Sequence, residues 1–286
     1  MSHTDFRKNN FLHLENVYKS YGSTLILNDI DLSVAAGEFC TVVGPSGCGK
    51  STMLRLILGQ EEPDSGDILI AGEKAGAPDI RRGVVYQKYS LFPHLNVLEN
   101  VLLGMKLNPE TKCTQEDIDR AVSYLERVKL GDSLKKYPHE LSGGMQQRVA
   151  VIQTLFVHPQ IVLMDEPFGA LDPGTREDIQ MFLLELWEEQ KMTVFFVTHD
   201  LEEALFLGTR LIVLSQYYSD DKECKGAKVV MDIPIKSDKT ALATTSKQSE
   251  DVQSLIAKIR QEGFDPNYRQ RLEEFNLAHQ HSFSTP

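Results

Sequence analysis

Gly44, Gly49, Lys50 and Ser51 fit the spacing G-x-x-x-x-G-K-S/T, and they lie between the apolar run FCTVV (39–43) and the helix-like run KSTMLRLILG. A loop of this kind surrounds phosphates with backbone N–H groups and with the positive end of the following helix dipole. Its lysine reaches the β- and γ-phosphates, and the hydroxyl after it ligates Mg²⁺. The bland alternative, a Gly-rich turn that only joins strand to helix, gives Lys50 and Ser51 no packing role. A second signal is IVLMDEP (161–167), four apolar residues that run into Asp165 and Glu166. Acids at the carboxyl end of a buried strand suit a nucleotide site, Asp165 in the Mg²⁺ shell and Glu166 orienting and deprotonating a water in line with the γ-phosphate. A third is LSGGMQQRVA (141–150), where Ser142 can cap a helix while Gly143 and Gly144 let backbone approach an anion closely.

LSGGMQQRVA resembles the signature motif of the ATPases of ATP-binding cassette (ABC) transporters, and the order of phosphate loop, signature and IVLMDEP follows that family over about residues 11 to 215. The resemblance implies an α/β fold: a P-loop NTPase (ABC ATPase) core with a mixed sheet, a β subdomain and an inserted α-helical lobe. It implies ATP and Mg²⁺ as ligands, and a head-to-tail dimer that sandwiches two ATP molecules between phosphate loops and signatures. Pro45, Ser46, Gly47, Cys48 and Thr52 complete the phosphate loop. Tyr21, in VYKSYGS, matches the aromatic that stacks on adenine, and Gln87, after GVVY, the glutamine that contacts Mg²⁺ and water. Asp172, in GALD, matches the loop that crosses the dimer interface, and His199, after TVFFVT, the histidine that contacts the γ-phosphate and holds Glu166. Without the resemblance, Tyr21 reads as a packing residue, Gln87 as a surface amide and His199 as a hydrogen-bonded strand end.

KYPHELSGGMQQRVA, MDEPFGALDPGTRE and THDLEEALFL look like nitrate, sulfonate and taurine importer ATPases, whereas LFPHLNV is closer to polyamine and iron importers. The implied partners are transmembrane permease subunits, a second copy of the chain and an external solute-binding protein, with no nucleic acid. The implied place is the cytoplasm, peripheral on the inner face of the membrane. In YSLFPHLNV the apolar Leu91, Phe92, Pro93 and Leu95 stand on a connection that would ordinarily be polar. They either form the groove that receives a permease helix or pack inside the lobe. Two departures from the family are Gln153 and Thr154, where importers commonly carry an Ala-Arg-Ala-Leu run, and the polar stretch from Gln216 to Gly226.

The elements that must position these residues follow from periodicity. FLHLENVYK and TLILNDIDLSV read as strands at the edge of a mixed sheet, and DILIA (67–71) and GVVYQ (83–87) as two more. Ser90 to about His158 turns helical: in TQEDIDRAVSYLERVKL, Ile118, Ala121, Val122, Leu125 and Val128 fall on one face, with Thr114 and Asp117 as a capping pair. IVLMDEP, TVFFVTHD (193–200) and RLIVLS (210–215) read as buried parallel strands, and TREDIQMFLLELWEE as the helix between the first two. The expected organisation is an ATPase domain over 11–235 with the helical lobe at about 90–158, then a polar linker (236–250) and a helical extension to 286 containing SEDVQSLIAKIRQE.

The 286 residues, 41% hydrophobic and 25% charged, are those of a folded globular protein. A net charge of −11 excludes bulk attraction to nucleic acid or anionic lipid, so an anion must be held by a local device. No run reaches the roughly 18 apolar residues of a membrane span, and MSHTDFRKNN lacks the apolar core of a signal peptide. Cys40, Cys48, Cys113 and Cys224 are scattered, which reads as reduced thiols and no zinc site; Cys48, beside loop N–H groups and a helix start, is expected to favour the thiolate. Two other functions stay open: a soluble ABC ATPase acting on ribosomes or DNA, and a regulatory nucleotide-binding module that does not turn over.

Overall fold

The computed structural model describes residues 10–87, 91–107, 113–169, 171–219, 226–235 and 250–277. The expected linker (236–250) lies outside them except for Glu250, as do Tyr89, Ser90, Cys224 and most of the polar stretch after Gln216. Along the chain come β1 (Asn10–Tyr21), β2 (Thr24–Ala35), β3 (Phe39–Val43), α1 (Lys50–Leu58), β4 (Ser65–Ile70), β5 (Glu73–Lys74), β6 (Arg82–Val85), α2 (Val97–Leu107), α3 (Gln115–Arg127) and α4 (Gly143–Phe156). There follow β7 (Ile161–Asp165), α5 (Pro173–Gln190), β8 (Thr193–Val197), α6 (Leu201–Leu207), β9 (Arg210–Ser215), β10 (Tyr218–Ser219), β11 (Lys228–Pro234), α7 (Glu250–Ile259), β12 (Gln270–Arg271) and β13 (Asn276–Leu277). They fall into two compact units, one of residues 1–78 and 193–286, the other of 79–192.

In the first unit β3 is flanked by β8 and β9, parallel on both sides. All three strands are buried along their whole length, which is why FCTVV, TVFFV and RLIVLS read as continuous apolar runs rather than alternating ones. β11 adds antiparallel to β9, and β13 parallel to β11. The expected mixed-sheet edge at the start of the chain is corrected here. β1 and β2 fold back on each other as a hairpin, β1 gives its other edge to β4, and the order β2-β1-β4-β5 makes a separate antiparallel sheet. Arg210 ties strands together from inside: its guanidinium donates to Asp232 at 2.7 and 2.6 Å and to the Ser33 carbonyl at 2.5 Å, and all three residues are buried. The predicted C-terminal helix forms as α7 and puts Ile256 and Ile259 into a core with Val43, Leu205, Leu211 and Val213.

The second unit pairs β6 with β7 in parallel and holds α2 to α5. On α3 the capping box of Thr114 and Asp117 closes in both directions, and the helix buries Ala121 and Leu125, the centre of the predicted face. Tyr124 meets Phe156 and Phe182 edge-on at 6.0 and 5.5 Å, so α3, α4 and α5 share one aromatic contact. Thr154, where the family pattern is broken, donates its hydroxyl to the Val84 carbonyl at 3.1 Å and fastens α4 to β6.

Candidate functional site

In the first unit the chain leaves β3 through Gly44 and enters α1 at Gly49. A Cβ on Gly44 would lie 2.2 Å from the Leu214 carbonyl oxygen, so the turn can pass against β9 only without a side chain. Gly49, at φ 98°, is the N-cap of α1 and makes no side-chain cap bond, and the first turn holds no acidic residue. The helix start therefore keeps its positive character for an external anion. Lys50 is buried and donates from Nζ to the carbonyls of Gly44 at 2.7 Å and Pro45 at 2.9 Å, which fixes the ammonium inside the turn. Ser46 and Gly47 form the exposed rim, Ser51 is half-buried and Thr52 is buried.

The same unit carries Tyr21 and His199. Tyr21 closes β1, is 42% exposed, and places its phenol oxygen between Glu61 and Arg55. His199 follows β8, whose Val197 pairs with Val42 beside the phosphate loop. It stands exposed on a braced corner: the Thr198 hydroxyl accepts the Asp200 N–H at 3.1 Å and donates to Glu203, while Asp200 caps α6 by accepting from Glu202 and Glu203 N–H groups.

In the second unit β7 delivers Asp165 and then Glu166, which adopts φ 48°. A left-handed glutamate costs about 1 kcal/mol or more, so its surroundings must hold it there. The Gln87 amide donates to its carboxylate at 3.3 Å. Ser142 caps α4, accepting from Met145 N–H at 3.3 Å, and the first turn of α4 also lacks acidic residues. A Cβ on Gly144 would stand 3.3 Å from Leu171, the neighbour of Asp172. Asp172 caps α5 by accepting the Thr175 N–H at 3.0 Å; that bond and the Arg148 charge hold its carboxyl below the usual range. Two groupings result here, Asp165 and Glu166 with Gln87, and Ser142 to Gly144 beside Leu171 and Asp172.

Comparison with known proteins decides the family. The ABC transporter family model matches residues 27–169. The chain is 46% identical over 204 residues, 71% of its length and 76% of the relative's, to an uncharacterised ABC transporter ATP-binding protein of Methanocaldococcus jannaschii. The chain belongs to the ABC transporter family. The nitrate import ATP-binding protein of Synechocystis is 46% identical over 195 residues, 68% of this chain and 72% of that one. A dimeric ATP-binding cassette in a post-hydrolysis state, bound to ADP and phosphate, superposes with a TM-score of 0.68 at 34% identity, over 79% of this chain and 99% of that one. Within the family this chain is an ATP-binding and ATP-hydrolysing subunit.

For an ABC ATPase, one expectation fails and several supports were missed. Cys48 is 1% exposed, and burial pushes its thiol up despite the nearby Lys50, so the expected thiolate is not favoured. Asn100, fully buried, donates to the carbonyls of Leu95 at 2.9 Å and Asn96 at 3.0 Å and accepts the Phe92 N–H at 2.8 Å. It was visible only as a polar residue four after Asn96 in an apolar helix. Gln147, also buried, donates to the Tyr86 carbonyl at 3.4 Å and so links α4 to the segment that carries Gln87. Phe92 is 43% exposed and Leu95 half-buried, so the loop does not withdraw Phe92 into a core of the described residues.

Proposed function

We propose that this chain energises solute import through a separate transmembrane permease, hydrolysing ATP as a head-to-tail pair. The observation that carries the reading is Glu166, held in a left-handed turn at the end of a buried strand with its carboxylate on Gln87. In this reading the loop from Gly44 to Thr52 cradles the phosphates, Lys50 turns to the β- and γ-oxygens, and Tyr21 stacks on adenine. Ser142, Gly143 and Gly144 of one copy face the nucleotide of the other, with Asp172 at the shared interface. Glu166 takes the proton of the attacking water, and His199 contacts the γ-phosphate and steadies Glu166. Ser51, Gln87 and Asp165 supply only hard oxygen donors, one of them a carboxylate, which fits Mg²⁺ bound together with substrate phosphates. When bound, that ion neutralises charge on the phosphate oxygens.

Import is supported by the nitrate import ATP-binding protein among the relatives, and an external solute-binding protein is the further partner in this proposal. In this reading the chain sits on the inner face of the membrane through the permease; among the described residues no helix is long and apolar enough to cross a membrane. The test is Glu166→Gln. Turnover should fall by about 100-fold or more while ATP binding persists and Mg²⁺-ATP drives a stable dimer seen by light scattering. Hydrolysis near the normal rate would remove Glu166 from the role of base.

A further inference from the structure

The phenol of Tyr21 is not free to swing. Its oxygen sits in a closed triangle: it bonds the Glu61 carboxylate, Arg55 Nη2 donates to it at 3.1 Å, and Arg55 Nε donates to the other Glu61 oxygen at 2.7 Å. Lys19 completes the frame, its ammonium 5.6 Å from the centre of the Tyr21 ring and 3.8 Å from Glu61. Arg55 belongs to α1, the helix that begins at Gly49, and also donates to Thr52 in the first turn at 3.2 Å. One rigid helix therefore carries the phosphate loop at its start and the anchor of the aromatic ring near its end. These contacts form although Arg55 and Glu61 are 38% and 26% exposed at the side chain, where ion pairs contribute little to folding. Their consequence is to hold in place the tip of a ring that is itself exposed.

We propose that Arg55 and Glu61 are positioning residues for nucleobase recognition: they pin the Tyr21 ring so that the base stacks on its face away from Lys19 at a set distance from the phosphate loop. The proposal rests on the reading of Tyr21 as the adenine-stacking aromatic. A ring held beforehand gives up less rotamer freedom on binding, and releasing it weakens association by about threefold to tenfold. The effect is confined to ligands that carry a base.

The test compares the affinity of the full chain for ATP and for inorganic tripolyphosphate across Tyr21→Ala, Tyr21→Phe, Glu61→Gln and the Tyr21→Phe, Glu61→Gln double variant. Tyr21→Phe and Glu61→Gln should each weaken ATP binding about threefold to tenfold and leave tripolyphosphate unchanged. The double variant should bind ATP no worse than the weaker single, because both act on the same triangle of phenol, carboxylate and guanidinium. Tyr21→Ala should weaken ATP more than either. ATP binding lost by Tyr21→Ala but kept by Glu61→Gln would overturn the pinning and leave the stacking role intact. Unchanged ATP binding in Tyr21→Ala would overturn the stacking role and the pinning with it. Equal losses for ATP and tripolyphosphate would also overturn the proposal, since the substitution would then act on the phosphate loop.

Discussion

Asn100→Leu should release the loop that presents Phe92 while sparing ATP binding. The amide of Asn100 is fully buried and spends its hydrogen-bonding capacity on that loop, accepting from Phe92 N–H and donating to the carbonyls of Phe92, Leu95 and Asn96. Leucine fills the same space and makes none of these bonds. A neutral hydrogen bond contributes about 1 kcal/mol, and a buried group left without its partner costs about 1–3 kcal/mol. The carbonyls at the exposed end regain water, so the net loss is about 2–3 kcal/mol, enough to open the loop more than tenfold more often. Hydrogen exchange read at the Phe92 amide should accelerate by about that factor, with the midpoint of thermal unfolding lowered and the ATP affinity unchanged. If Phe92 meets the permease, co-purification of the two should weaken both here and in Phe92→Ala, although Phe92→Ala should leave exchange and melting as they are. An Asn100→Leu protein whose Phe92 amide stays protected would refute the reasoning, because the loop would then be held by something other than this side chain.

Gly44→Ala puts a methyl 2.2 Å from the Leu214 carbonyl oxygen, so it should displace the phosphate loop and reduce ATP affinity at least about tenfold, measured by titration calorimetry; normal binding would mean that β9 yields. Because burial raises the Cys48 thiol, maleimide at neutral pH should label it at least about ten times more slowly than the half-exposed Cys113, and equal rates by mass spectrometry would contradict that burial. His158 has its pKa lowered by burial and by Arg120, whose guanidinium lies 2.9 Å from Nε2. Its contribution is therefore present above the ordinary histidine pKa of about 6.5 and lost as the pH falls toward the lowered value. The melting temperature of His158→Gln should fall less on acidification from about pH 7.5 to 5.5, by about 2 °C at most for a ring that is only partly buried, and parallel curves would rule the linkage out.

What was legible in the sequence and what was not divide along a physical line. The residues proposed to handle nucleotide lie in short windows, because phosphates are held by consecutive backbone N–H groups at a helix start and by side chains at strand ends. Gly44 to Thr52 and Ser142 to Gly144 are such windows, and their strands and helices follow from local periodicity. Pairing partners are not local. The apolar runs of β1 and β2 say that both are strands, but only their register with each other and with β4 separates them from the larger sheet. β11 carries no turn signal that would have placed it beside β9, and Arg210 reaches Asp232 only because it does so. The supports of the site belong to the same class. Arg55 and Glu61 look like surface charges on a helix and the turn after it, Asn100 like a flaw in an apolar stripe, and Thr154 like a lost family residue. Each acquires meaning from a partner with no fixed spacing in the chain: Tyr21 for the first two, the Phe92 loop for the third, the Val84 carbonyl for the last. Chemistry written in backbone amides is thus readable from one strand-to-turn-to-helix window, whereas the precision with which it is held depends on side chains whose roles exist only after the sheet has chosen its order.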